Sequence, residues 1–152
     1  MKIKHNTFID NRGSFTAIDS KLIDIEWDQF NISNNTNKYT FRGLHYQTDP
    51  YQMKCIKVID GKILDLWVDL KTNEVHYFEL DNTEFLLVPS NYAHGFLTLE
   101  DNTIVTYLVQ GKYNPISEHS MVWNKIGDVR RIVETYTNGK ELIISEKDRL
   151  GK

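Results

Sequence analysis

Cys55 is the only cysteine in the chain, so an intramolecular disulfide is excluded and no Cys pair offers zinc-type spacing. Its run, Met53-Lys54-Cys55-Ile56-Lys57-Val58, reads as the place of a buried small hydrophobe rather than a nucleophile. No stretch approaches the ~18 consecutive apolar residues of a membrane-spanning helix. The opening Met1-Lys2-Ile3-Lys4-His5 leads into polar sequence without the apolar core of a signal peptide. A soluble cytoplasmic protein with no membrane partner is expected. Basic excess is missing as well: a net charge of −3 argues against non-specific binding to nucleic acid, so any anionic ligand must be met by specific residues. No repeat, low-complexity tract or Pro/Gly-rich linker divides the chain. Residues 1–152 therefore read as one domain, large enough to bury roughly two thirds of its unfolded surface without a structural metal.

What the chain does have is period-two patterning. Two apolar runs flank Asp60-Gly61, the dipeptide that most readily takes the positive φ of a tight hairpin turn. In the second arm Leu64, Leu66, Val68 and Leu70 fall on one face and Ile63, Asp65, Trp67 and Asp69 on the other. Further strands are expected over Val75 to Leu80, Thr83 to Val88, Ala93 to Thr98 and Thr103 to Gln110, and upstream over Trp27 to Ser33 and Tyr39 to Tyr46, with Asn34 to Lys38 as a polar loop. Regularly spaced short strands mean a sandwich or barrel. Asp19 to Glu26 carries a weak helical pattern. Beyond Tyr113 the pattern fades, and Asp128 to Val133 and Lys140 to Ile144 fit either short strands or helix. The fold class is all-β with a C-terminal extension.

Two segments concentrate chemistry. Arg42-Gly43-Leu44-His45-Tyr46-Gln47 gathers a guanidinium, an imidazole, a phenol and an amide at the end of a strand. Alternation would put Arg42, Leu44 and Tyr46 on one face and Gly43, His45 and Gln47 on the other. Pro89-Ser90-Asn91-Tyr92-Ala93-His94-Gly95-Phe96 places a second histidine after a turn. By residue type alone each histidine is either a hydrogen-bonded structural residue or a chemical one. Small β-barrels often bind metal through several His and a carboxylate, which need three or four ligands. Here no His-x-His pair exists, and no Glu follows His45 closely. No metal site is expected.

Five stretches carry a more specific signal: Asp10-Asn11-Arg12-Gly13, Arg42-Gly43-Leu44-His45-Tyr46-Gln47, Val68-Asp69-Leu70, Ala93-His94-Gly95-Phe96 and Ile144-Ser145-Glu146-Lys147-Asp148. In this order they resemble the dTDP-4-dehydrorhamnose 3,5-epimerase family over nearly the whole chain. The resemblance implies a metal-free cupin-type jelly roll, without cofactor and usually a homodimer, acting on a nucleotide-diphosphate sugar, a deoxythymidine diphosphate-linked 4-keto-6-deoxy hexose. Such a reaction needs a base on one face of the sugar, a stabiliser for the enolate oxygen and an acid on the other face.

The resemblance implies the roles one residue at a time. His45 is the base, since an imidazole takes and releases protons near neutrality, and Asp148 is its partner carboxylate. Lys54, in Gln52-Met53-Lys54, stands at the enolate oxygen, and Tyr107 donates the proton. Arg12 and Arg42 are implied near the diphosphate and sugar, Gln29 and Asn31 in a Gln-x-Asn-x-Ser run, Tyr113 stacked on the base, and His94, Glu118 and Lys147 around the ligand. The chain departs from the family pattern at Ala17, where a Glu is usual, and at Trp123-Asn124-Lys125-Ile126, which stands for Trp-Asn-Asp-Pro. The rival readings are an inert cupin that binds a nucleotide sugar, a single-site epimerase or ketoisomerase of a related sugar, and a metal-dependent cupin oxygenase or isomerase. The joint presence of His45, Tyr107, Lys54 and Asp148 argues against the inert binder.

Overall fold

In a computed structural model, residues 1–19 and 24–151 are described; of the weak helical pattern of 19–26, residues 20–23 lie outside the described residues and 19 and 24–26 are not helical. Strands β1 (Lys2–Lys4), β2 (Asn6–Asp10), β3 (Gly13–Ala17), β4 (Gln29–Asn35), β5 (Thr40–Gln47), β6 (Met53–Asp60), β7 (Ile63–Asp69), β8 (Val75–Leu80), β9 (Glu84–Val88), β10 (Tyr92–Thr98), β11 (Thr103–Gln110) and β12 (Glu118–Ser120) precede helix α1 (Gly127–Thr137), strand β13 (Ile143–Ile144) and helix α2 (Glu146–Leu150). One sheet runs β1-β9-β6-β11-β4 and a second β12-β5-β10-β7-β8, with β13 pairing in parallel along β5, and β2 and β3 form a separate two-stranded hairpin. The expected central strands are present, and β4 runs on through Asn34 and Asn35, which had read as loop. The N-terminal strands β1, β2 and β3 carried no clear pattern in the sequence.

The β6–β7 hairpin turns where Asp60-Gly61 predicts it. Gly61 takes φ +84, and a Cβ there would collide with the Thr103 hydroxyl, so the turn needs glycine both for its conformation and for space. Both faces of β7 are buried. Ile63 and Trp67 meet Ile56, Val58, Leu86, Val88 and Val105 from the other sheet in the space between the two, which makes the pair a sandwich. Leu64, Leu66 and Val68 pack outward under α1.

The tail resolves into both kinds of structure. Residues 128–133 are helical because Val129 and Val133, one turn apart, are fully buried against Phe41, Leu44 and Leu97, each contributing roughly 1.5–3 kcal/mol. Asn138 in the left-handed region ends α1. Ile143 and Ile144 instead extend the sheet beside Thr40 and Phe41. Along the same edge of β5, β12 pairs with 45–47, and α2 closes the gap between the two.

Candidate active site

Strand pairing sets two rows of side chains facing each other across the sandwich. In the six-stranded sheet His45, His94 and Trp67 are successive antiparallel partners on β5, β10 and β7, so they share a face. In the five-stranded sheet Asn31, Tyr107 and Ile56 form the corresponding row, with Gln29, Val109 and Lys54 in the next. Between them opens a cleft of two adjoining lobes of about 320 and 230 Å³ that share His45, Lys54 and Tyr107. The larger lobe also reaches Gln29, Asn31, Tyr113 and Glu118, and the smaller reaches Arg42, His94, Lys147 and Asp148.

His45 Nε2 donates to Asp148 Oδ1 at 2.5 Å, and the second carboxylate oxygen accepts the Gly43 N–H at 3.0 Å. Ser145 caps α2 by accepting the Asp148 N–H at 3.1 Å, which fixes the start of the helix that carries the carboxylate. Asp148 is only 5% exposed. Burial alone would raise its pKa, but the bonds from His45 and Gly43 and the charges of His45 and Lys147 outweigh that and hold it below the ordinary value. An ionised Asp148 only accepts, so in the neutral form of His45 the proton is held on Nε2 and the lone pair is left on Nδ1.

A second imidazole–carboxylate pair lies deeper. His94 Nε2 donates to Asp65 Oδ1 at 2.7 Å and Trp67 Nε1 to Asp65 Oδ2 at 2.7 Å, so a fully buried carboxylate has both oxygens satisfied. Burial pushes His94 down against the pull of Asp65, which keeps its imidazole neutral. Asp65 was not singled out from the sequence. The signal was a carboxylate flanked by Ile63 and Trp67 on one face of the strand.

Lys54 stands on the opposite sheet. Burial pushes its amine down to about 8, opposed by Asp65 and Glu118, so at neutral pH it remains mostly charged while giving up much of its hydration. Tyr107 is raised by burial, with the Arg42 charge opposing, so its phenol is protonated and able to donate. At the mouth Tyr113 Oη donates to Glu118 Oε2 at 2.9 Å and Lys147 Nζ to the same oxygen at 3.3 Å. Burial would raise Glu118, but these partners hold it low. Arg42 Nε donates to Asn35 Oδ1 at 2.8 Å, another contact without a sequence signal.

Two expectations change. Arg42 and His45 line the same lobe, whereas strict alternation puts them on opposite faces. At Gly43, φ is +118, and the pairing of β10 with β5 shifts register between His94 and Phe96. The irregularity slips the pleat by one residue, so Phe41 and Leu44 share the outer core and Arg42, though exposed, lines the cleft with His45. Arg12 is not brought to the cleft. It sits at the turn of the β2–β3 hairpin, ion-paired with Asp10, in a groove that shares no lining residue with either lobe. Among the described residues no group of three or more His, Cys, Asp and Glu is placed to hold a metal, and no helix is long and apolar enough to cross a membrane.

A family model described as dTDP-4-dehydrorhamnose 3,5-epimerase matches residues 1–152. A curated relative of that description from Methanothermobacter thermautotrophicus is 33% identical over 97% of this chain and 85% of its own length. One from Neisseria gonorrhoeae is 32% identical over 80% of this chain, which spans only 41% of that longer protein. The crystal structure of dTDP-4-dehydrorhamnose 3,5-epimerase from Bacillus anthracis with TDP and PPi bound superposes with a TM-score of 0.83 at 31% identity, covering 99% of this chain and 91% of that one.

Proposed function

Because the chain belongs to the dTDP-4-dehydrorhamnose 3,5-epimerase family, we propose that it epimerises a dTDP-linked 4-keto-6-deoxy hexose by moving protons next to the ketone. One observation carries this reading: His45 and Tyr107 come from opposite sheets and line one cleft, with Lys54 between the shared lobes. Inversion at a carbon needs a proton removed from one face and returned to the other, and two facing sheets supply the two faces.

His45 Nδ1 takes the proton on carbon 3 or 5, and Asp148 stabilises the imidazolium that forms. The electron pair moves onto the ketone oxygen, where the Lys54 ammonium meets the developing charge in a site partly shut off from water. Tyr107 delivers a proton to the opposite face of the enolate, the phenolate is reprotonated from solvent, and the His45 imidazolium releases its proton to solvent, which restores the base. Arg42 and Lys147 supply positive charge for the diphosphate, and Tyr113 offers a ring for the base. The bound TDP and PPi of the Bacillus anthracis relative support a nucleoside-diphosphate ligand.

The active unit we propose is a homodimer. Phe8, Ile9 and Phe15 on the β2–β3 hairpin are 61%, 81% and 68% exposed, and Phe30 and Ile32 on the edge strand β4 are similarly bare. A second copy would cover such a surface and give Arg12 a cleft to reach. Light scattering tests this, and a mass near 17.9 kDa would overturn it.

The decisive experiment is incubation with dTDP-4-keto-6-deoxyglucose in deuterated water, with the exchanged positions located by NMR. Deuterium at carbons 3 and 5 with inversion supports the double epimerase, exchange at one carbon points to a single-site enzyme, and no exchange leaves a binding protein. His45→Ala should abolish exchange and inversion together, by roughly 10²-fold or more. Tyr107→Phe should slow inversion more than exchange, because the base can still return a solvent-derived proton to the face it came from.

A further inference from the structure

Gln47 ends β5, two residues past His45, and is 2% exposed. It lines neither lobe of the cleft, so the proton transfers leave it without a task. Its backbone pairs with Glu118 on β12. Its side chain spends its whole amide on two loops: Nε2 donates to the Pro50 carbonyl at 2.7 Å and the Lys112 carbonyl at 2.9 Å, and Oε1 accepts the Asn114 N–H at 2.8 Å.

The last two bonds bracket Tyr113 on either side. Tyr113 itself is 58% exposed, so burial does not hold its ring at the mouth of the cleft. Its place comes from the backbone around it and from its bond to Glu118, the acid that also holds Lys147. Other braces join the same loops: Asn114 Nδ2 to Asp49 O at 2.7 Å and Ser117 Oγ to Asp49 O at 2.8 Å are solvent-exposed and therefore weaker, and Gln52 Nε2 to Gly111 O at 3.0 Å and Thr48 N–H to Ser117 O at 3.2 Å tie the loop ends on either side rather than the backbone next to Tyr113.

We propose that Gln47 is a positioning residue for the nucleotide end of the substrate, acting through the Lys112–Asn114 backbone to set Tyr113 and its Glu118 contact. The site needs two N–H donors and one acceptor delivered to a single buried point. Among the side chains glutamine supplies this set at the required reach, whereas Glu lacks donors, Lys lacks an acceptor and Asn is one methylene shorter. The inference rests on the nucleotide-sugar reading above.

The test is Gln47→Glu, which keeps the shape and replaces Nε2, with its two N–H donors, by one carboxylate oxygen facing two carbonyls. KM for dTDP-4-keto-6-deoxyglucose and the calorimetric Kd for dTDP should rise about tenfold or more. The turnover number and the exchange-to-inversion ratio should stay within about threefold, since His45, Lys54 and Tyr107 are untouched. In a Tyr113→Ala background the same change should add less than about twofold, because both substitutions remove one interaction. Wild-type KM and Kd, a fall in kcat alone, or losses that multiply in the double variant would each overturn the proposal. If Gln47→Glu does not fold, Asn114→Ala removes the Asp49 brace from the same loop and should raise KM by about threefold; an unchanged KM overturns the proposal. Amide hydrogen exchange over 112–117 decides independently of substrate: faster exchange in Gln47→Glu supports the proposal and unchanged protection overturns it. A wild-type protein that neither binds dTDP nor turns over the sugar overturns the substrate reading instead.

Discussion

Gly43 and Gly95 pass each other on β5 and β10 with no room for a side chain: a Cβ on Gly43 would lie 2.6 Å from the Gly95 Cα, and one on Gly95 would lie 2.7 Å from the Arg42 carbonyl. This closeness accompanies the slip that turns Arg42 inward, and it sits beside the Gly43 N–H that Asp148 accepts from 105 positions away. Gly95→Ala should therefore push β5 from β10, costing about 1–3 kcal/mol as other overpacked interiors do, and should misplace His45. Thermal melts and turnover on one sample check it. A variant with wild-type melting and rate would refute the close contact.

Asp148→Asn should lower kcat by roughly 10²-fold or more, because an amide no longer holds the imidazole with its proton on Nε2 nor balances the imidazolium. Melting should move far less, since the outer core does not depend on the carboxylate. Truncation after Glu146 should show the same imbalance between rate and stability. An unaltered rate in either variant would remove Asp148 from the mechanism.

Lys54 predicts two opposite pH effects. Its ammonium serves the enolate only while charged, so kcat should fall as pH rises through about 8, and Lys54→Arg should lose that alkaline limb. Stability moves the other way. The folded-state pKa lies below the ordinary 10.5, so between about 8 and 10.5 the unfolded chain binds more protons and stability rises with pH. Lys54→Met should raise the melting temperature at pH 7, by a free energy on the order of 1–3 kcal/mol, while removing activity. A pH-independent kcat, or a destabilised Lys54→Met, would contradict the assignment.

Cys55 is 4% exposed and burial pushes its thiol up to about 11, so very little thiolate exists at neutral pH. Iodoacetamide at pH 7.5, about neutral, should label the denatured chain and leave the native protein unmodified and fully active. Rapid native labelling with loss of activity would make Cys55 part of the site.

Much of this molecule was legible in one dimension. Period-two alternation and the Asp60-Gly61 turn predict β6, β7 and the strands after them because successive side chains on a strand point to opposite faces and a tight turn must tolerate positive φ. The ordered motifs contain His45 and Asp148, and the family resemblance adds Lys54 and Tyr107 from outside them. The N-terminal strands were not legible: β2 and β3 are exposed along their whole length, so no buried face imposed a pattern on them. Residues 128–133 stayed open between helix and strand until contact with Phe41 and Leu44 decided for α1.

The sequence by itself determined which side chains are at hand and which of the central segments are strands, because local sterics and hydrophobic alternation act between near neighbours. Only the tertiary structure decided which of those side chains meet. Asp148 reaches His45 because β13 and α2 fill the gap left on the β5 edge, Asp65 pairs with His94 across two strands, and Arg42 turns to the cleft because Gly43 and Gly95 remove the side chains that would keep the pleat regular. Each is a contact between residues far apart in the chain, set by how whole sheets pack, and no local pattern encodes it.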